Sequence, residues 1–368
     1  MRKNEIKNVE WKILISAIIL NLIGLVALFS ATQENNYDEF YKQLVWTAVS
    51  LVVVIAIIFI DYEILVKFAP IFYGAAIMLL FAVLFTTPLN GASSWFDIGF
   101  FSFQPGEFSK IAVIIFIAYI INKIQTKNKN EINKPLKLLM ICAAFAVPVG
   151  LIMLQPDNGT ALAFIVAIGI MLIISGLNKK YIFGMIVVIL IGVPIAYNFI
   201  LPEYAKERID IFFNPESDPR GAGYNVLQSK LAIGAGGLSG MGLLEGNQTQ
   251  LGFLHPKTTD FIFSVISEEL GFIISSTIVL LYLYLISKCI FIAKTAKNDL
   301  GMLIGAGFTG VLIFHFIQNI GMVMGLLPIT GVPLPFVSYG GSSLITNYIM
   351  IGILLNISAK RQKTIFIK

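Results

Sequence analysis

The sequence predicts an all-α membrane protein that crosses the bilayer about ten times, and two observations lead to this prediction. Hydrophobic residues make up 57 % of the 368 residues and charged residues only 13 %, which excludes a set of ordinary soluble domains. Apolar runs long enough to cross about 30 Å of hydrocarbon recur along the whole chain. Together they predict a single membrane domain over residues 1–368, with spans from about residue 11 to residue 358.

The predicted spans are joined by short polar connections, with one exception. The fifth and sixth spans are divided only by the polar turn at residues 155–159, and the eighth is long enough to extend into the head-group region. Between the seventh and eighth spans lies a large extracellular segment, residues 201–259, far longer than a normal helix connection. The ten spans cover approximately residues 11–31, 41–60, 63–86, 104–123, 136–154, 160–177, 181–201, 260–287, 300–323 and 342–358.

The basic residues indicate how the spans are oriented. With the N-terminus in the cytoplasm, nearly all lysines and arginines fall in segments predicted inside, whereas the short outside loops 87–103, 155–159 and 324–341 contain none. This positive-inside pattern places both termini in the cytoplasm. The net charge of +5 therefore reflects topology. Because the cations do not cluster with aromatic residues on one soluble face, no nucleic-acid partner is expected.

Two outside segments have an unusual composition. Residues 225–233 predict a short amphipathic helix near the membrane surface, and the glycine-rich residues 234–242 follow it. The glycine-rich residues lack the Lys-Ser/Thr ending of a nucleotide P-loop, so tight packing against neighbouring spans and contact with a substrate phosphate or sugar both stay open. The loop 324–341 contains three prolines and is predicted to return into the protein as irregular, buried backbone.

The cysteines and histidines do not predict a soluble metal site. Cys142 and Cys289 lie in or beside spans, and two separate thiols are expected rather than a disulfide. No spacing of histidine and cysteine fits a zinc or haem site, and nothing in the sequence requires an organic cofactor. His315 is expected to be an interhelical histidine whose ring is hydrogen bonded to its neighbours.

Five sequence blocks occur in order along the chain. They include Gln-Pro-Gly-Glu from residue 104, Gln-Pro-Asp-Asn-Gly-Thr from residue 155 and Thr-Asp-Phe-Ile-Phe from residue 259. Together they resemble the SEDS family of bacterial shape, elongation, division and sporulation proteins, over nearly the whole chain. The five blocks cover residues 104–110, 155–160, 218–230, 259–263 and 333–342.

The elongation members of the family are more similar to this chain than the division members. The residues that favour elongation are the run 228–230, the run 247–251 and His315 ahead of Asn319. The residues before Thr259 and the residue Met241 depart from the usual elongation pattern.

The resemblance implies an activity, a location and a partner. It implies a peptidoglycan glycosyltransferase that polymerises lipid II into glycan strands during cell elongation and releases undecaprenyl diphosphate. The expected location is the outer face of the bacterial cytoplasmic membrane, where the multi-pass protein contacts membrane lipids. The implied partner is a class B penicillin-binding protein, which cross-links the peptides.

Two other functions stay open beside polymerisation. One is a lipid II flippase, which needs a polar path to the cytoplasmic half of the bundle. The other is a non-catalytic scaffold that activates the penicillin-binding protein. The unusual polar residues concentrate at the outer ends of the predicted spans, for example Glu107, Asp157 and Asp260, and this favours chemistry at the outer surface.

Asp260 is the predicted catalytic residue. It lies in the first turn of the predicted eighth span, and helical spacing places Ser264 and Ser267 on its face. A carboxylate there can accept the proton of an acceptor hydroxyl, although an aspartate at a helix start can also be a cap. The resemblance favours catalysis, because the matching aspartate is essential in the family. The chemistry also admits a divalent cation, magnesium or manganese, that bridges Asp260 and the diphosphate, although no ligand cluster requires one.

Charged residues at the outer ends of the spans are predicted to bind substrate. Glu107 and Lys110 are three residues apart and are expected to form an ion pair on one helix face. Arg208, Arg220 and Lys230 are the outside cations best placed to hold a diphosphate.

Polar residues complete the predicted site. Asp157 is either a turn former or a polar site residue, and Gln228 and Ser338 lie within the matching blocks. Glu268 and Glu269 lie deeper in the eighth span, where buried hydrogen bonding to neighbouring spans is the expected role.

Overall fold

A computed structural model describes residues 8–87, 93–97, 99, 102–199, 203–218 and 221–361 of the protein. This part of the chain is mostly helical, and its two short strands, β1 (Phe96–Asp97) and β2 (Ser102–Phe103), pair antiparallel. Short 3-10 helices cover Gln33–Asn35, Val83–Phe85, Lys129–Asn133 and Pro215–Ser217. The α-helices, numbered in chain order, are α1 (Lys12–Ala31), α2 (Asp38–Phe59), α3 (Tyr62–Lys67), α4 (Ala69–Ala82), α5 (Pro105–Gln125), α6 (Pro135–Met153), α7 (Asn158–Ile174), α8 (Lys179–Phe199), α9 (Glu203–Phe213), α10 (Ala222–Ala235), α11 (Asn247–Gln250), α12 (Ile262–Lys294), α13 (Asp299–Val323) and α14 (Gly341–Ala359).

Seven helices in the described part of the chain are long and apolar enough to cross a membrane: α1, α2, α6, α8, α12, α13 and α14. Helix α4, together with the 3-10 turn that follows it, and helix α7 are apolar but shorter. Helix α5 has 21 residues and carries the charged residues Glu107, Lys110 and Lys123. The helical membrane fold predicted from the composition is therefore confirmed.

The helices differ in how much of their surface lies inside the bundle. Helices α13 and α14 are mostly buried; α14 packs mainly against α2, and α13 packs against α7 and α12. By contrast, α8 lies at the periphery, where Phe183, Val188 and Leu190 are all more than 65 % exposed. Apolar side chains that are exposed along a whole helix indicate a surface that contacts lipid. Helix α13 is thus the central element against which other parts of the protein are positioned.

Helix α12 is broken at Gly271, where φ is +76°. A left-handed backbone of this kind favours glycine and interrupts the helical hydrogen-bond ladder. The glycine-rich residues 234–242 fill the break: Gly237 O accepts a hydrogen bond from Phe272 N at 2.9 Å, and Met241 N donates to Glu268 O at 2.9 Å. Of the two alternatives for the glycine-rich residues, the structure shows tight packing. The predicted eighth span, residues 260–287, is a broken helix that continues to Lys294.

Ion pairs connect the ends of the helices. Lys288 Nζ lies 3.6 Å from Glu10 Oε1, Lys129 Nζ lies 2.9 Å from Asp299 Oδ2, and Lys360 pairs with Asp61. Each of these pairs joins two different segments that the sequence places inside. Lys257 Nζ pairs with Glu34 Oε2 at 3.1 Å and joins two segments predicted outside.

Candidate functional site

Residues 324–340, here called the proline loop, form irregular backbone without helix or strand between α13 and α14. Its side chains Val332, Leu334 and Val337 are buried. Amide side chains from α1 and α2 satisfy its backbone: Asn21 Nδ2 donates to Phe336 O at 3.0 Å, and a glutamine of α2 donates to Ser338 O at 3.2 Å. Irregular backbone is tolerated at membrane depth when protein groups satisfy it in this way. The predicted irregular, buried backbone is confirmed.

Asp260 lies in the turn that precedes α12, and its side chain is half-buried. Asn319 of α13 fixes this turn, because its Nδ2 donates to Asp260 O at 2.9 Å and to Val332 O at 2.9 Å. The carboxylate lies beside the proline loop: a methyl carbon placed on Gly331 would be 3.6 Å from Asp260 Oδ2. The carboxylate is therefore positioned at the edge of the proline loop.

The predicted place of Asp260 in the first helical turn is wrong. Helix α12 begins at Ile262, with Phe261 as its N-cap residue. Phe261 N donates to Pro256 O at 3.2 Å, which closes a turn where the sequence pattern predicted helix. Helical spacing therefore does not place Ser264 below Asp260, and Ser264 Oγ lies 2.7 Å from Ser229 Oγ of α10 instead.

Glu107 and Lys110 form a buried ion pair at the beginning of α5. Lys110 Nζ lies 2.8 Å from Glu107 Oε1, and the two side chains are 1 % and 2 % exposed, respectively. Lys110 Nζ also lies 3.2 Å from His315 Nε2 of α13. The other carboxylate oxygen, Glu107 Oε2, is buried and accepts no hydrogen bond within the described part of the structure. The i,i+3 ion pair predicted from the sequence is present, and it retains one unused acceptor.

Asp157 is both a helix cap and a neighbour of this ion pair. Its Oδ1 accepts a hydrogen bond from Thr160 N at 3.0 Å, and its Oδ2 accepts one from Gln104 Nε2 at 3.1 Å. Burial raises the pKa of Asp157; hydrogen bonds from Thr160 oppose this, and the nearby Glu107 carboxylate adds to it. The cap shows the turn-forming alternative for Asp157, and its role as a polar site residue stays a prediction. Glu107, Lys110, Asp157 and His315 are called the charged cluster below.

The proline loop connects the charged cluster with Asp260. At the start of α7, a methyl carbon placed on Gly159 would be 2.7 Å from Thr330 O, so the loop packs directly on this helix. On the other side, His315 Nδ1 lies 3.1 Å from Pro333 O. The helix that Asp157 caps and the helix that bears His315 therefore both contact backbone oxygens within two residues of Gly331.

The other predicted substrate-binding residues lie around the segment 203–235. Lys230 is exposed in the second half of α10, and its side chain lies against Gly325, at the start of the proline loop. Gln228 lies in the same helix and is partly buried. Arg208 falls within α9, but its side chain is outside the described part of the structure. Arg220 lies outside the described residues.

Ser338 is buried within the proline loop. Its Oγ donates to Thr259 O at 2.6 Å and accepts a hydrogen bond from Leu334 N at 2.8 Å. The hydroxyl thus ties the proline loop to the residue before Asp260. Its predicted contact with substrate stays a prediction.

Glu268 and Glu269 of α12 form a second group of buried carboxylates, 0 % and 2 % exposed. Glu268 accepts three hydrogen bonds: from Gln248 N at 2.7 Å, from Thr249 N at 3.0 Å and from Thr249 Oγ1 at 2.7 Å. Glu269 Oε1 accepts one from Ser30 Oγ at 2.7 Å. Within the described residues neither carboxylate has a lysine or arginine partner. The predicted role in buried hydrogen bonding is confirmed.

Sequence reasoning missed two residues that shape the site. Gln104 contacts Asp157 through its side chain, and its backbone N donates to Ser342 Oγ at 3.2 Å. Asn319 contacts the backbone of both Asp260 and the proline loop. One signal was available for Asn319: it follows His315 by four residues in a largely apolar helix, so the two polar side chains share one face.

Comparisons with known proteins identify the family. The model of the cell cycle protein family of FtsW, RodA and SpoVE matches residues 10–363. The chain belongs to this family, the SEDS family. Over 351 residues it is 39 % identical to the peptidoglycan glycosyltransferase MrdB of Escherichia coli K12, with 95 % of this chain and 93 % of the relative covered. It is 30 % identical to the peptidoglycan glycosyltransferase RodA of Treponema pallidum, with 98 % and 100 % covered.

Two solved structures are similar in fold to this chain along almost its whole length. A chain from a peptidoglycan synthase complex, described for its coordination of polymerization and crosslinking, matches with a TM-score of 0.83 and 28 % identity, over 96 % of this chain and 99 % of that one. The rod shape determining protein RodA of Thermus thermophilus matches with a TM-score of 0.72 and 26 % identity, over 96 % and 98 %. The resemblance stated from the sequence blocks is thus confirmed, both for the family and for its RodA-type members.

Proposed function

We propose that this protein is a peptidoglycan glycosyltransferase that polymerises lipid II at the outer face of the bacterial cytoplasmic membrane during cell elongation. The observation that carries the proposal is the position of Asp260, a half-buried carboxylate at the edge of a loop that also contacts the charged cluster. Relatives that match this chain along almost its whole length are named peptidoglycan glycosyltransferases.

The proposed topology has ten spans, both termini in the cytoplasm and the segment 201–259 outside. The seven long apolar helices, the shorter apolar helices α4 and α7, and the charged helix α5 together supply ten. The ion pairs between helix ends support this arrangement, because Lys288–Glu10, Lys129–Asp299 and Lys257–Glu34 each join segments on one proposed side.

In the proposed reaction, Asp260 is the general base. A hydroxyl oxygen of the acceptor sugar attacks the anomeric carbon of the donor, and its proton passes to the Asp260 carboxylate. The bond between the anomeric carbon and the diphosphate oxygen breaks, and undecaprenyl diphosphate leaves. A single displacement of this kind inverts the anomeric centre and needs no second carboxylate as a nucleophile.

Cations balance the charge that develops on the leaving diphosphate. Lys110, Lys230, Arg208 and Arg220 are the proposed phosphate-binding residues, since ammonium and guanidinium groups donate charged hydrogen bonds to phosphate oxygens. Within the described residues Lys230 makes no ion pair, so its charge is available to a ligand.

Polar side chains around these cations are proposed to bind the sugar and peptide of the substrate. Glu107, Asp157, Gln228 and Ser338 are the proposed residues. Among them, Glu107 offers the buried oxygen that has no hydrogen-bond donor within the described residues.

A divalent cation, magnesium or manganese, is part of the proposal. Among the described residues, no group of three or more histidine, cysteine or acidic side chains is placed to hold a metal by itself. Magnesium is commonly held by one or two carboxylates together with substrate phosphates, and Asp260 with the diphosphate fits that pattern. Chelation with EDTA is expected to abolish polymerisation, and added magnesium or manganese is expected to restore it. Full activity in EDTA would remove the metal from the proposal.

The proposed partner is a class B penicillin-binding protein. The solved peptidoglycan synthase complex, which matches this chain over 96 % of its length, is described as coordinating polymerization with crosslinking, and this supports such a partnership.

The experiment that tests the proposal is polymerisation of purified lipid II by the purified protein, alone and with its transpeptidase partner. The wild type is expected to form long strands, and Asp260→Asn is expected to be slower by at least about 100-fold, which is the contribution of a general base. The matched control is Asp38→Asn, in which the aspartate is 63 % exposed, and it is expected to match the wild type.

The other outcomes point to other functions. Equal activity of the wild type and Asp260→Asn would remove Asp260 as the base. No strands from any variant, with partner and metal supplied, would contradict polymerisation and favour the flippase or the scaffold.

A further inference from the structure

We propose that His315 is a positioning residue that directs the Lys110 ammonium toward the substrate. The inference rests on the proposed function and gives His315 a role beyond the interhelical contact that its sequence position predicts. His315 lies in the central helix α13 and is 1 % exposed, so its ring is enclosed by protein on all sides.

The partners of His315 determine its protonation. Lys110 Nζ, a group that can only donate, lies 3.2 Å from Nε2, so Nε2 is the acceptor. Pro333 O, a group that can only accept, lies 3.1 Å from Nδ1, so Nδ1 carries the hydrogen and donates. The ring is therefore neutral, in its Nδ1–H form, and both of its nitrogens are occupied.

This arrangement leaves Lys110 with one free donor. An ammonium group has three N–H bonds in tetrahedral directions. One points to Glu107 Oε1 at 2.8 Å and a second points to His315 Nε2 at 3.2 Å. Within the described residues, the third has no partner. Because two of the three directions are fixed, the direction of the third is fixed as well. With Glu107 alone as partner, the ammonium could rotate about its terminal bond.

The other ring nitrogen fixes where this donor lies relative to Asp260. Pro333 belongs to the proline loop, and the preceding residue, Val332, is held by Asn319. Asn319 is one helical turn beyond His315 and also holds Asp260 O at 2.9 Å. His315 and Asn319, on one face of α13, thus fix the positions of Lys110, the proline loop and the turn that contains Asp260 relative to one another. A group that transfers a proton and a group that balances phosphate charge must be held at a fixed separation in this way.

Two substitutions separate the two contacts of the ring. The side-chain nitrogen of asparagine is as many bonds from Cα as Nδ1, so His315→Asn can keep the contact with Pro333 but cannot reach Lys110. The terminal amide of glutamine is as many bonds from Cα as Nε2. His315→Gln can therefore accept from Lys110 through its oxygen but loses the contact with Pro333.

The test is the lipid II polymerisation rate of the two variants, with thermal unfolding and size-exclusion elution as folding checks. His315→Gln is expected to retain at least a third of the wild-type kcat, whereas His315→Asn is expected to lose at least tenfold, with a smaller change in KM. If His315→Asn does not elute as a monodisperse protein, His315→Ala takes its place, with the same expected loss relative to His315→Gln.

Three outcomes would overturn the proposal. They are wild-type activity of His315→Asn, an equal loss of activity in both variants, and a lower activity of His315→Gln than of His315→Asn. Each result would assign the ring to loop attachment instead. If the wild-type protein itself has no polymerisation activity, the proposed function fails. That result is distinct from a failure of the His315 proposal, which is judged only by comparing the variants with an active wild type.

Discussion

Glu107 and Glu268 are two buried glutamates in the same helical bundle, and they are used differently. Both are at most 2 % exposed. Glu268 accepts three hydrogen bonds, all from the short helix α11 of the same chain. Glu107 shares a lysine with His315 and has one oxygen without a donor in the described part of the chain. Burial of a charge therefore does not by itself identify a functional residue. Glu107 differs from Glu268 in having both a lysine partner and an oxygen without a donor among the described residues, and the two features together support its proposed role in substrate binding.

The charged cluster provides the strongest test of this comparison. Lys110→Met removes the positive charge but keeps a side chain of similar length. It leaves the Glu107 carboxylate unpaired in the protein interior. Loss of one partner of a buried pair costs about 3–5 kcal/mol, so both the melting temperature and the polymerisation activity should fall sharply. The measurements are thermal unfolding in detergent and the rate of strand formation.

A double variant separates stability from chemistry in the cluster. Glu107→Gln combined with Lys110→Met removes both charges together, so most of the thermal stability should return. Activity should not return, because the ammonium that is proposed to bind the diphosphate is still absent. An active double variant would show that the ion pair is structural, as the Glu268 contacts are.

Glu268→Gln tests the other half of the comparison. Glutamine has one acceptor oxygen where the carboxylate has two, so at least one hydrogen bond from the backbone at residues 248–249 is lost. The cost is about 1–3 kcal/mol, and the melting temperature should fall by several degrees. The rate of polymerisation per folded molecule should stay within about twofold of the wild type. Glu216→Gln, at an exposed position in the segment 203–218, is the matched control and should change neither quantity.

Asp157 gives the smallest expected effect, a dependence of stability on pH. Burial raises the pKa of Asp157 in the folded protein above its ordinary value of about 3.9. The folded state therefore binds the proton more tightly than the unfolded state. The contribution of this proton to the free energy of unfolding is fully present below about pH 3.9 and is lost as pH rises through the raised pKa.

Asp157→Asn removes this titration and keeps a good helix-capping residue. The melting temperature of the variant relative to the wild type should therefore increase between about pH 4 and pH 7, by a few degrees at most. A difference between the two proteins that is constant over this range would contradict the raised pKa. Asp38→Asn, with its aspartate 63 % exposed, is the control.

The sequence was sufficient for features that depend on composition or on short spacing. Apolar runs located the long helices, and the i,i+3 spacing of Glu107 and Lys110 predicted their ion pair. The interhelical role of His315 and the hydrogen bonding of Glu268 were also predicted correctly, because a polar group within an apolar helix must find a partner in the bundle.

The rest depends on contacts between distant parts of the chain. The break at Gly271 was not predicted, because glycine is tolerated within helices. The break depends on residues 234–242, which hydrogen bond to the interrupted backbone and are distant from Gly271 in sequence. The start of α12 was misplaced since the turn that precedes it is held by Asn319, 59 residues away. Periodicity contains no information about such a partner.

The most direct test of the account compares Asp260→Asn with Glu268→Gln in one lipid II polymerisation assay, with equal amounts of monodisperse protein and the same transpeptidase partner. We expect strands of wild-type length from Glu268→Gln and none detectable from Asp260→Asn. Strands from Asp260→Asn at the wild-type rate, or loss of strands in both variants to the same extent, would contradict it.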